Sequence, residues 1–181
     1  MSATTHLMTA EELFSLDDGS NLHELVKGEL LTMSPPGAKH GAVGMNISAP
    51  LHTYVSTKKL GIVFLAETGF ILERNPDTVL APDCSFIRSE RLSNLPDGYL
   101  EIAPDLVVEI TSPSQSRPKM EIRASQWLEY GVLEVWLVDP KTRTINVRRV
   151  TGKDEVLREG DDLIGGNIVP GFRIPLSKIF L

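Results

Sequence analysis

The chain has 181 residues, 41% of them apolar and 23% charged, and a net charge of −6. This composition excludes a disordered or fibrous chain and supplies enough apolar residues for one sizeable core, so a single domain over residues 1–181 is expected. The acid excess argues against holding nucleic acid by non-specific backbone neutralisation, which usually needs a basic protein, but it leaves room for a local basic patch and suits a divalent cation.

In chain order, Thr9-Ala10-Glu11-Glu12 fits a capping box and predicts a short helix through about Leu16, ended by the polar run from Asp17 to Asn21. His23–Lys27 and Glu29–Met33 flank Lys27-Gly28 and predict a β-hairpin. After Ser34-Pro35-Pro36-Gly37, helical spacing of His40, Val43, Ile47, Leu51 and Tyr54 predicts a long helix to about Lys58, which Pro50 should kink or split. Strand-like runs follow at Gly61–Ala66, Gly69–Arg74 and Val79–Ile87, then a polar loop over 88–104 with one short helical turn. Leu106–Ile110 is a near-continuous apolar run of the kind buried on both faces, Lys119–Tyr130 is a helix, and Leu133–Val138 is a second buried strand. Strand, helix and strand form a βαβ unit and imply a parallel pair, with Thr144–Val150 folding back on the second strand. The Gly-rich stretch after Asp162 reads as irregular. The expected fold is therefore α/β, with a mixed central sheet flanked by helices.

Glu109 is the most informative residue, because it interrupts a doubly buried strand where an unpaired carboxylate is costly. Strand parity places Val107, Glu109 and Thr111 on one face and Leu106, Val108 and Ile110 on the other. Glu109 therefore either serves a site or pairs with a neighbouring arginine. Asp83 opens the run Asp83-Cys84-Ser85-Phe86-Ile87 directly after Pro82. Two carboxylates on adjacent strands can converge on one hard cation, since Mg²⁺ takes one or two carboxylates plus waters and substrate phosphates. Trp127 and Trp136 lie in apolar patterns and read as core.

Other chemistries lack support. Cys84 is the sole cysteine, so no disulfide framework exists, and His6, His23, His40 and His52 have no zinc-ligand spacing. There is no phosphate-binding Gly-rich loop, nucleophile elbow or Cys/His motif. No apolar run approaches the roughly 20 residues of a membrane span. Residues Met1–Ala10 carry no basic n-region, so a cytoplasmic protein is expected.

Pro82-Asp83 followed by Glu109-Ile110-Thr111 resembles the PD-(D/E)XK signature of restriction-endonuclease-like nucleases. The ordered set is closer still to one bacterial branch, expanded in cyanobacteria and long filed as a domain of unknown function. The matching positions are Glu24 with Gly28, Ser34-Pro35, His40, Pro82-Asp83, Pro104–Glu109 with Ser112-Pro113, Tyr130-Gly131-Val132 and Trp136–Pro140, covering about residues 8–150. The resemblance implies a restriction-endonuclease-like fold and Mg²⁺- or Mn²⁺-dependent hydrolysis of DNA phosphodiester bonds, with Asp83 and Glu109 holding the metal. It also implies a homodimer, since a duplex presents two strands to cut.

The family's lysine is replaced at its usual position by Thr111. It has moved onto the following helix in an acid-x-x-x-Lys spacing that falls here on Lys119 and Arg123. Arg123 could clamp a phosphate or pair with Glu109, but it cannot act as a base. By the same resemblance Glu24 would complete the metal site or hold a water, and His40 would contact phosphate. Arg117, Lys119, Arg88 and Arg91 are further candidate phosphate contacts, or a solvated charged face. The altered basic positions keep open an alternative, a catalytically weak or inactive DNA-binding or regulatory module on the nuclease fold. A third possibility is a self-associating domain in which Glu109 pairs with Arg123 and no metal binds.

Overall fold

A computed structural model describes residues 6–16, 22–112 and 115–180. Helix α1 (Ala10–Phe14) begins at the capping box the sequence predicts, with Glu12 N–H donating to Thr9 Oγ1 and Thr9 N–H to the Glu12 carboxylate. Strands β1 (Leu22–Val26) and β2 (Glu29–Met33) form the expected hairpin. Its turn needs Gly28 at φ +78°, and a Cβ there would lie 2.7 Å from Leu7 Cβ.

Helix α2 (Ala38–Lys58) runs without a break, so Pro50 does not split it. Val43 and Ile47 before the proline and Leu51 and Val55 after it are all buried on one stripe against the sheet, and this packing outweighs one missing backbone hydrogen bond. Strands β3 (Gly61–Leu65), β4 (Phe70–Glu73), β5 (Thr78–Leu80) and β6 (Cys84–Arg88) follow. The run from Val79 to Ile87, expected as one strand, is thus two. It is cut at Ala81-Pro82-Asp83, where Pro82 has no N–H to offer a ladder. The chain changes sheets at this point.

The remaining elements are β7 (Leu106–Ile110), α3 (Arg117–Glu129), β8 (Glu134–Asp139), β9 (Thr144–Arg149), β10 (Glu155–Leu157), β11 (Asp162–Ile164) and β12 (Arg173–Pro175). The central sheet has six strands in the order β10-β9-β8-β7-β6-β3, antiparallel except for β7 and β8, which are parallel and joined through α3 as the βαβ pattern requires. A second, four-stranded sheet is ordered β2-β1-β5-β4. The tail after Asp162, expected to be irregular, instead forms the β11–β12 hairpin and buries Leu163, Val169, Phe172, Ile174 and Phe180.

Layering follows from strand parity. Leu106, Val108 and Ile110 join α2 and the C-terminal hairpin in one core, while Val107, Val135 and Leu137 join Met120, Ala124 and Trp127 of α3 in another. Phe70 and Leu80 carry the smaller sheet into that second core, and Leu25, Ile71 and Val79 bury its other side against α1. The face bearing Glu109 is therefore enclosed between the central sheet, α3 and the smaller sheet.

Candidate functional site

Five of the side chains singled out by sequence meet at one end of β6 and β7. The antiparallel register pairs Cys84 with Val108 and Ser85 with Val107. One step beyond that register, Asp83 comes near enough to Glu109 for its charge to act on the Glu109 carboxyl. Asp83 Oδ2 accepts the Ile110 N–H at 2.7 Å and lies 3.2 Å from His40 Nε2. His40 arrives on the first turn of α2, which packs closely there: a Cβ on Gly44 would sit 3.1 Å from Ile110 Cδ1.

Glu109 is buried, with a relative exposure of 6%. Its Oε1 accepts Arg123 Nε at 2.8 Å and Trp127 Nε1 at 2.6 Å. Arg123 also grips Glu24 with both terminal nitrogens, at 2.7 Å and 2.6 Å, and reaches the Ala81 carbonyl at 3.4 Å. Glu24, on β1, is 1% exposed and accepts the Ala81 N–H at 2.7 Å. The segment that leaves β5 for β6 therefore presents both backbone groups of Ala81 to the Glu24–Arg123 pair and then delivers Asp83. Arg123 additionally lies over the Trp127 ring, 5.3 Å from its centroid, as residues four apart on a helix allow.

Electrostatics match this geometry. Burial pushes the Glu109 carboxyl up to about 7; Arg123 opposes the shift, and the charges of Asp83 and Glu24 add to it. The hydrogen bond to Asp83 raises the His40 imidazole above its ordinary range, against the opposing effect of burial, with a contribution from the backbone of Ile110. The two carboxylates raise Arg123 despite its burial. The cluster holds three carboxylates and one guanidinium, and so carries net negative charge when all are ionised.

Of the two expectations for Glu109, the ion pair with Arg123 is present, and the Asp83 charge acts on the same carboxyl. Among the described residues, the hydrogen bonds to Asp83 all fall on Oδ2 and those to Glu109 all fall on Oε1. One oxygen of each acid is thereby left to other partners. That donor chemistry fits a hard divalent cation that keeps most of its waters. It does not fit a closed protein cage, and among the described residues no three His, Cys, Asp or Glu side chains are grouped to hold a metal.

Other candidates lie elsewhere. Arg88 and Arg91 converge on Asp105 at the opposite end of the β6–β7 pair. Arg117 is largely exposed, 3.8 Å from Glu121, and Lys119 is exposed. Both tryptophans are buried core residues, as expected, but each also donates to a buried glutamate: Trp127 to Glu109, and Trp136 to Glu134. The i,i+4 spacing of Arg123 and Trp127 was the available signal for the first of these. The role of the Ala81 backbone had no sequence signal.

The fold and this acid-lined sheet end define a restriction-endonuclease-like α/β protein. A solved structure described as a "putative nuclease belonging to DUF820 from Anabaena variabilis ATCC 29413" superposes with a TM-score of 0.81 and 24% identity, covering 96% of this chain and 97% of that one. The sequence profile of the Uma2 family, described as "Putative restriction endonuclease", matches residues 10–177, and the chain belongs to that family. A search of curated proteins returned no match.

Proposed function

We propose that the protein is a divalent-metal-dependent endonuclease that hydrolyses phosphodiester bonds in DNA, with Asp83 and Glu109 as its metal-holding acids. The observation that supports the proposal is that Asp83, just before β6, accepts the N–H of Ile110, the residue after Glu109, so that both acids lie at one end of two adjacent strands. Family membership supports the nuclease class. Mg²⁺ or Mn²⁺ bound by these acids would supply charge stabilisation at the scissile phosphate and a more acidic water.

The chain's own residues then have separable tasks. Arg123 and Trp127 fix Glu109 through Oε1. Ile110 N–H fixes Asp83 through Oδ2. His40, whose raised pKa keeps it protonated further toward neutral pH beside Asp83, would offer a donor to a phosphate oxygen. Glu109 must ionise to hold a cation, so activity should rise as pH climbs through about 7. A homodimer acting in the cytoplasm belongs to the same proposal, and no helix among the described residues is long and apolar enough to cross a membrane.

A second reading, a DNA-binding module with little cleavage, is favoured by one specific observation. Four of the five N–H groups of Arg123 are directed at a carboxylate or carbonyl, which leaves at most one for water or phosphate.

The deciding assay incubates supercoiled and linear DNA with Mg²⁺ or Mn²⁺ and compares the wild type with Glu109→Ala. Nicking lost in the variant supports the enzyme. Equal traces of cleavage in both proteins, with retained DNA retardation in a gel, would favour the binding module.

A further inference from the structure

We propose that Glu24 is a positioning residue: it holds Arg123 by both terminal nitrogens and so keeps the guanidinium from closing on Glu109. The inference rests on the metal-site reading above, but it concerns the balance between the protein's own charges.

The geometry is that of a fork divided between two acids. Glu24 takes Nη1 at 2.7 Å and Nη2 at 2.6 Å, which is the end-on bidentate match of guanidinium and carboxylate. Glu109 receives only Nε, on one oxygen. Glu24 is itself pinned by the Ala81 N–H and by β1, where Leu25 pairs with Val79. Without the Glu24 charge, Glu109 would be the nearest anion able to satisfy a buried guanidinium, and a two-point pair there would occupy both Glu109 oxygens. The net charge beside Asp83 would also become less negative by one. Both effects weaken the hold on a cation. This explains how arginine is tolerated where a lysine would leave the acid less encumbered: a second acid draws the fork away.

The probe is Mn²⁺ alone, titrated into the full chain and followed by electron paramagnetic resonance of the free ion, with a thermal melt of each protein. Glu24→Gln keeps the shape and removes the charge, and it should weaken Mn²⁺ binding about 10–100-fold, the usual effect of losing an outer partner of a metal site. Adding Arg123→Gln to that variant should restore much of the affinity, because the competing guanidinium is gone. If the double variant stays as weak as Glu24→Gln, then Glu24 is itself a ligand or merely structural, and the proposal is overturned. Unchanged affinity in Glu24→Gln overturns it as well while leaving the metal site standing. A wild type that binds no Mn²⁺ removes both. Should Glu24→Gln fail to fold, Arg123→Gln alone decides: tighter Mn²⁺ binding than the wild type supports the proposal, and weaker binding refutes it.

Discussion

Replacing Arg123 by methionine tests whether the cluster is a true buried ion network. The substitution keeps an unbranched stem over Trp127 but leaves Glu24, 1% exposed, and Glu109, 6% exposed, facing each other without a cation. Removing one partner of a buried pair typically costs about 3–5 kcal/mol, because the remaining charge is stranded. That is a large share of the roughly 5–15 kcal/mol that holds a domain of this kind folded. The cost must depend on pH. With Arg123 gone, the Glu109 carboxyl, already pushed up by burial, loses the charge that opposes the shift, so the folded state holds a proton the unfolded state has released, and stability falls as pH rises. Urea unfolding should therefore show the full deficit at pH 8 and a markedly smaller one at pH 5. The exposed Arg173–Asp162 pair, 3.4 Å apart, is the control: Arg173→Met should change stability by no more than about 1 kcal/mol at either pH. A deficit in Arg123→Met below about 1 kcal/mol at pH 8, or one that does not shrink at pH 5, would refute the account of these acids as buried and charge-compensated.

Three further outcomes follow from the same geometry. Trp127→Phe removes the N–H to Glu109 together with part of a fully buried ring, so it should cost at least about 1–3 kcal/mol and move the rising limb of the pH–activity profile to higher pH, because that hydrogen bond lowers the Glu109 pKa. The imidazole of His40 should titrate above its ordinary range by NMR and fall back in Asp83→Asn; its stabilising contribution is complete below the unfolded pKa near 6.5 and is lost as pH rises through the elevated folded value. Arg123→Lys, which installs the point charge of the related family, should raise DNA cleavage, and unchanged or lower cleavage at equal folded fraction would show that the lysine position carries no weight here.

The legible and illegible parts of this molecule divide along physical lines. Val107, Glu109 and the alternation around them could be assigned to faces because a strand's period is fixed, and the parallel pair followed from two doubly buried runs joined by a helix. Pro50 misled because local propensity lost to four buried side chains of α2. The C-terminal hairpin escaped notice because its strands are three residues long and each buries a single apolar residue centrally, Leu163 and Ile174, too few to set a period. At the site, Asp83 and Glu109 could be paired in advance, and so could the choice of Arg123 as an ion partner. That Glu24 would cross from a different sheet to take two of its nitrogens is a long-range fact, 99 residues apart in sequence, which no local pattern encodes.

Burial of acids alone does not distinguish the Asp83 end of this sheet, because the other end has buried acids too. There Asp105 and Glu134 are 1% and 3% exposed, the Glu134 N–H donates to the Asp105 carbonyl, and Glu134 repeats the tryptophan–glutamate–arginine motif with Trp136 and Arg149. The difference lies in the charge count. Asp105 meets Arg91 at 3.0 Å and Arg88 at 3.9 Å, and both oxygens of Glu134 are occupied, so three arginines answer two acids. At the Asp83 end Arg123 and the His40 imidazole answer three carboxylates. An excess of cations closes buried acids into structure, whereas an excess of carboxylates leaves net negative charge, the arrangement that suits a divalent ion. Adding a cation there, as in Thr111→Lys, should weaken Mn²⁺ binding, while Arg91→Gln at the far end should lower stability without creating a metal site. Tight Mn²⁺ binding by Arg91→Gln when Glu109 is also replaced by alanine would show that the two ends had been assigned the wrong way round.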